Sequence, residues 1–270
     1  MAVDKSKALE TMKENLLKYK DAVIIVGNDA VREAHLFHAT EHNEHAYSRR
    51  NMVKNPKEYW TLYKMNIAET ERNKTGTKEQ KALLELLELG IAKTVIDVNF
   101  DGYLKDNMPD GIQYIQLKGD RRELFCTKCG KIIPYNDNIT GEKVLTHKDF
   151  DENTNCMGKV QPTVPHYNSK VPKGTWHDIL CSIFEEEDLK ENRYVPKTHA
   201  LILVGIDIDE DIVGDIIDTY KVSRGKNNLQ HLLIAVTYKS PQLVDMLEAE
   251  FGTADEIDES LLRLKQLLEK

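Results

Sequence analysis

Residues Tyr114–Pro134 read YIQLKGDRRELFCTKCGKIIP. The run opens as a short apolar strand, turns at Lys118 and Gly119, and ends in two cysteines two residues apart followed by Gly130 and Lys131. A C-x-x-C-G-K turn is half of a zinc knuckle, and a tetrahedral zinc site needs two further ligands. Cys156 is 27 residues beyond Cys129, but the position where a second knuckle would carry its partner cysteine is Asn153. Cys126, Cys129 and Cys156 are therefore three candidate metal ligands, with His147, Asp149 or Asp151 as the fourth, since imidazole and carboxylate both suit zinc. The alternative is three reduced thiols without metal. A redox role fits less well, because the pair does not open a helix after a strand.

Four more segments read as buried strands: AVIIVG (22–27), KTVIDVN (93–99), HALILVG (199–205) and LLIAVT (232–237). With YIQLKG (114–119) they are short, apolar and rich in Val and Ile, as strands covered on both faces are. KEQKALLELLELG (78–90) has leucines at helical spacing and a glycine where a C-cap belongs. Strands alternating with helices predict an α/β fold, a doubly wound, Rossmann-like parallel sheet. Ligands of such sheets sit at the carboxyl ends of the strands. That rule gathers Gly27, Asn99, Lys118 and Gly205 around one candidate crevice.

Residues 120–165 interrupt the alternation. They are polar, hold three of the four cysteines and are too poor in apolar residues to fold alone, so they predict a small zinc-ribbon-like insert. The expected organisation is a large domain from 1–27, 76–119 and 166–242, a helical insert at 28–75, the zinc insert at 120–165, and a C-terminal helical segment at 243–270. That last segment reads as helix, acidic loop, helix, with a stripe of leucines from 261 to 268 that either packs on the domain or offers an oligomer contact. Cys181 reads as a helix-buried thiol.

The chain has 270 residues, 30% of them charged, and a net charge of -8. A negative balance argues against a general nucleic-acid binder, which needs excess Lys and Arg to neutralise phosphates. No apolar run reaches membrane-spanning length, and the charged amino terminus does not read as a secretory signal. Four cysteines are too few for a disulfide scaffold, so a cytoplasmic setting is expected, with a protein or small molecule as partner.

With strands, insert and cysteines in this order, residues 15–240 resemble the sirtuin family, the NAD-dependent protein deacylases. The stretch quoted above is similar to the family's segment from its His-Gly motif into the first knuckle, and CMGKVQPTVPHYNSKVPKGTW (156–176) to the second knuckle and the strand after it. The resemblance implies zinc as a structural metal and NAD or ADP-ribose as ligand, with Gly27, Asn99, Asp101 and Gly205 as cofactor-binding positions. The functional positions depart from the family pattern. GNDAV stands where the family has a Gly-Ala-Gly-hydrophobic-Ser loop, so only Gly27 remains and Asp29 adds negative charge where two phosphates would lie. The loop's arginine falls near Thr40. In DVNFD, Val98 replaces the family's glutamine, while Asn99 and Asp101 are kept. Gly-Thr-Ser aligns with Gly205, Ile206 and Asp207.

Lys118 stands at the general-base histidine. A catalytic base has to titrate near working pH, whereas an ordinary lysine, with pKa ~10.4, is already protonated there. The catalytic set is thus undefined, with Lys118, Asn99 and Asp101 as its candidates. His35, His38, His42 and His45 are spaced three, four and three apart, which on a helix makes one stripe, and HATEH matches the H-x-x-E-H zinc motif. Without other peptidase features, the plain alternative is a helix whose imidazoles bond to carboxylates and water. Asp207, Asp209, Glu210 and Asp211 either bind a cation or complement a helix start, and Trp176 and His177 read as packing near the crevice mouth. Three functions follow: a pseudoenzyme acting as a binding or regulatory module, a diverged NAD-using enzyme, or a metal-dependent enzyme built on the histidine stripe.

Overall fold

A computed structural model of the chain describes residues 5–34, 46–72, 74–136, 139–164, 185–188, 193–196, 198–206, 232–236, 251–253 and 256–270. The histidine stripe, Thr40, Trp176, His177, Cys181 and the acidic residues 207–211 lie outside the described residues.

Helix α1 (Lys5–Tyr19) leads into β1 (Ala22–Val26), a 3₁₀ turn (Asn28–Ala34), α2 (Arg49–Lys54), α3 (Pro56–Arg72), α4 (Lys78–Leu87), β2 (Ala92–Asp97), α5 (Tyr103–Asn107) and β3 (Gln113–Gln116). Then come β4 (Glu123–Cys126), β5 (Ile132–Pro134), β6 (Val160–Pro162), β7 (Glu185–Asp188), β8 (Arg193–Pro196), β9 (Ala200–Val204), β10 (Leu232–Val236), β11 (Phe251–Thr253) and α6 (Ile257–Glu269). Six strands form one sheet in the order β11-β10-β9-β1-β2-β3, every pair parallel. The five expected strands are all present, each slightly shorter than the apolar run that marks it.

The reading of 243–270 as helix, loop, helix misses a strand. Phe251–Thr253 pairs with Ile234–Val236 at the sheet edge. Three residues are too few to show an alternating pattern, and only the neighbouring strand gives them a place. Part of the leucine stripe of α6 packs on the chain itself, while Leu262 is exposed: Ile257, Leu261, Leu264 and Leu268 are buried in the same core as Leu83, Leu86 and Leu87 of α4 and Ile24, Val26, Ile202 and Val204 of the sheet. Burying each such side chain is worth about 1.5–3 kcal/mol.

The central strands β1 and β9 are buried along their whole length, as an apolar run in a covered parallel sheet demands. Helix α4 starts at a capping box. Thr77 Oγ1 accepts from Gln80 N–H at 3.1 Å, and the Gln80 side chain accepts from Thr77 N–H at 3.0 Å.

A second, smaller core joins two stretches far apart in sequence. Met52, Tyr59, Trp60, Tyr63 and Ile67 of α2 and α3 pack with Leu124, Cys126, Ile133 and Val160 of the three-stranded sheet β5-β4-β6 and with Leu145 of the connection between β5 and β6. The insert that is too polar to fold alone thus borrows an aromatic wall from the helices that precede α4.

Candidate functional site

The candidate crevice falls where β1, β2, β3 and β9 end. Gly27 N–H donates to Val204 O at 2.8 Å, Val98 N–H to Val26 O at 2.9 Å, and Leu117 N–H to Asp97 O at 2.8 Å, so the four strand ends are tied together. Gly27 and Gly205 face each other so closely that a Cβ on Gly27 would stand 2.3 Å from Gly205 O. Gly205 also has φ +60°, and a Cβ there would meet Ala30 N at 2.6 Å. Only glycine fits both places.

The loop after β1 sits down on this floor. Asp29 N–H donates to Gly205 O at 3.0 Å, Ala30 N–H to Gly27 O at 3.3 Å, and Thr77 Oγ1 to Ala30 O at 2.7 Å. Ala30 and Val31 are buried, as is Ile206. The first turn after the sheet is therefore filled with apolar side chains, and its Asp29 and Ala30 amides are spent on the chain's own carbonyls.

At the end of β2, Asn99 is only 1% exposed. Its Nδ2 donates to Gly27 O at 3.1 Å and to Asp97 Oδ1 at 2.9 Å, while its backbone N–H donates to the same Asp97 oxygen at 2.9 Å. Tyr114 Oη donates to Asp97 Oδ2 at 2.8 Å. Burial drives the Asp97 carboxyl up to about 7, aided by repulsion from Asp101 and opposed by the Asn99 and Tyr114 hydrogen bonds. Burial also raises Asp101, although Tyr103 N–H at 2.9 Å, Gln80 Nε2 at 2.8 Å and the charge of Arg121 offset part of it. The Arg121 guanidinium lies 4.1 Å from the centre of the Phe100 ring.

The structure brings Gly27, Asn99 and Gly205 into one set of contacts, with Asp101 alongside through Gln80. Lys118 follows β3, half-buried, in a turn held by a buried carboxylate: Asp120 accepts from Arg122 N–H at 2.8 Å and from Arg122 Nη2 at 2.8 Å. Burial raises Asp120, but the Arg122 hydrogen bonds and charge outweigh it and hold the carboxyl below its ordinary range. Sequence reasoning missed Asp97, Gln80 and Thr77. The T-x-x-Q capping pattern was available as a signal for the last two, whereas the role of Asp97 depends on Tyr114, a residue of the next strand.

A candidate metal centre lies beside the smaller core. Cys126 Sγ and Cys156 Sγ are 3.6 Å apart, Cys129 Sγ and His147 Nδ1 are 3.3 Å apart, and all four ligand atoms fall within 4.8 Å of one another. Zinc–sulfur bonds of ~2.3 Å in a tetrahedron put sulfurs ~3.8 Å apart, so the set fits zinc. Gly158 makes room for it, since a Cβ there would lie 2.4 Å from Cys126 Sγ. Burial pushes the Cys126 thiol up, but hydrogen bonds from the Cys129 and Lys128 amides and the neighbouring thiols bring it down to about 7, toward the thiolate a metal needs. Of the three expected candidates for fourth ligand, His147 is the one that converges. Asp149 instead accepts from Thr146 N–H at 2.7 Å and Lys143 Nζ at 2.6 Å, and Asp151 from Lys131 Nζ at 3.1 Å.

The architecture has solved counterparts. A Sir2 homologue mutant in complex with 2'-O-acetyl ADP ribose superposes with TM-score 0.69 at 17% identity, covering 96% of each chain. A Sir2 homologue–NAD complex gives 0.68 at 15% identity over 96% of this chain and 93% of that one. A structure determined for sirtuin substrate affinity gives 0.67 at 15% identity over 95% and 98%. The chain has the sirtuin fold. No family model and no curated protein matches the sequence. On the sirtuin fold of this chain, the Cys126, Cys129, His147 and Cys156 group belongs to the zinc-ribbon-like insert, and the crevice residues occupy the ends of the parallel strands.

Proposed function

We propose that the protein is a binding or regulatory module on the sirtuin fold, one that has given up NAD-dependent deacylation. The observation that carries this reading is the Asp29 amide, donated to Gly205 O at 3.0 Å rather than left for a phosphate. A phosphate cradle is made of free backbone N–H groups, and an adjacent carboxylate repels the anion. Lys118 adds to this, because a cation stands where a proton acceptor would be needed. Zinc held by Cys126, Cys129, Cys156 and His147 would serve as a structural tie for the smaller domain, and the reduced thiols it requires fit a cytoplasmic setting. Among the described residues no helix is long and apolar enough to cross a membrane.

Calorimetry with NAD and with ADP-ribose tests the proposal. No heat of binding is expected with either, and no deacylation of an acyl-lysine peptide. Micromolar affinity for either ligand, or turnover of the peptide, overturns it.

One observation favours a second reading, a diverged enzyme that still uses NAD, as some neighbours of the same fold are NAD or ADP-ribose complexes. Asn99 and Asp101 are retained and packed at the crevice floor. On that reading nicotinamide is released from NAD by the native chain and no longer by Asn99→Ala.

A further inference from the structure

The hydrogen-bond inventory of the crevice floor is unbalanced. Both amide hydrogens of Asn99 are used, one on Gly27 O and one on Asp97 Oδ1. The carboxamide cannot be turned over, because its oxygen would then face two acceptors. Among the described residues Asn99 Oδ1, which is buried, has no hydrogen-bond partner. A buried carbonyl in that state costs about 1–3 kcal/mol. On either side of Asn99 in the chain stand the carboxylates of Asp97, fully buried, and Asp101, half-buried, close enough to repel each other. Asp101 is offset in part by Arg121, whereas the Asp97 oxygens are met by the neutral donors of Asn99 and Tyr114.

What this arrangement lacks is a donor, and a positively charged one. We propose that the crevice floor at Asn99 receives a primary ammonium group, whose N–H bonds to Asn99 Oδ1 and whose charge is held by Asp97 and Asp101, with Asp97 as the residue that sets the polarity of the subsite. This rests on the binding-module reading and names its ligand class: an alkylamine or the side chain of an unmodified lysine, which share one chemistry. An ammonium on a thin stem is the smallest donor that also carries charge, which suits a carbonyl closed off from bulk water. A phosphate or carboxylate would meet three acceptors.

The test uses the full zinc-loaded chain with selectively labelled asparagine, following the Asn99 side-chain amide by NMR while titrating methylammonium. The expected result is a saturable shift of that resonance, absent with acetate and with neutral N-methylacetamide. Asp97→Asn keeps the shape and removes the charge, its carbonyl oxygen still able to accept from Asn99. It should weaken binding roughly tenfold or more, the equivalent of one lost charge-assisted hydrogen bond. Parallel titrations with butylammonium and with a lysine peptide distinguish the two sources. Tighter binding of the peptide assigns a protein partner, and equal binding a small amine. An Asn99 resonance that ignores methylammonium, or an Asp97→Asn protein that binds it undiminished, overturns the proposal. NAD binding in the calorimetric experiment would sink the parent reading while leaving the methylammonium titration to decide this one.

Discussion

Asn99 Nδ2 lies 3.1 Å from the carbonyl oxygen of Gly27, joining the end of β2 to the end of β1 across the crevice floor. The same nitrogen reaches Asp97 Oδ1. Asn99→Ala removes both bonds and leaves a buried carbonyl and a buried carboxylate short of donors. The expected cost is about 2–4 kcal/mol in urea unfolding, since unsatisfied buried groups forfeit their full desolvation. A variant as stable as the native chain would show that this tie carries no weight.

Asp97 makes stability depend on pH. Its carboxyl titrates near 7 when folded, against an ordinary carboxylate value when unfolded. The folded state therefore holds the proton more tightly. The stabilising contribution is complete below about pH 4 and fades as pH rises through 7, amounting to roughly 4 kcal/mol if the whole difference is expressed. Thermal melts between pH 5 and pH 8 should show the native chain losing more stability than Asp97→Asn, whose neutral side chain does not titrate. Parallel curves for the two proteins would contradict the assignment.

The metal centre makes a stoichiometric prediction. The purified chain should carry about one zinc per molecule by elemental mass spectrometry. His147→Ala and Cys129→Ser should each lose most of it, while Asp149→Ala and Asp151→Ala keep it. Because the smaller core includes Cys126 and Trp60 together, metal loss should also change Trp60 fluorescence. Full zinc content in His147→Ala would assign the fourth ligand elsewhere.

Gly205 is a strict steric requirement. Alanine there would need φ +60° and would push its Cβ to 2.6 Å from Ala30 N. Gly205→Ala is expected to destabilise the fold by about 1–3 kcal/mol, read from the denaturation midpoint. Gly90, with φ +66° but open space around it, should cost less on the same substitution. Equal costs at the two positions would remove the argument for close packing at the crevice.

Much of the fold was legible from local pattern. Ala22–Val26 and Ala200–Val204 are apolar throughout because they are covered on both faces, and that condition writes itself into each strand independently of its neighbours. Phe251–Thr253 was not legible, being three residues that become a strand by pairing with β10. The crevice residues Gly27, Asn99 and Gly205 could be placed by the rule that strand ends make sites. Asp97 could not, because its significance lies in Tyr114 and Asn99 enclosing it.

By itself the amino-acid sequence determined five strands of the parallel sheet and the three thiols of the candidate metal centre. Each is a matter of residue type or short spacing, and chemistry at that range does not wait for folding. The tertiary structure alone decided that His147 completes the zinc set ahead of two nearby carboxylates, that α2 and α3 supply the wall of the smaller domain, and that Asp97 is sealed beside Asn99. Those outcomes turn on which groups distant in the chain come within a few ångströms of one another, and burial then sets what each group can bind and when it carries charge.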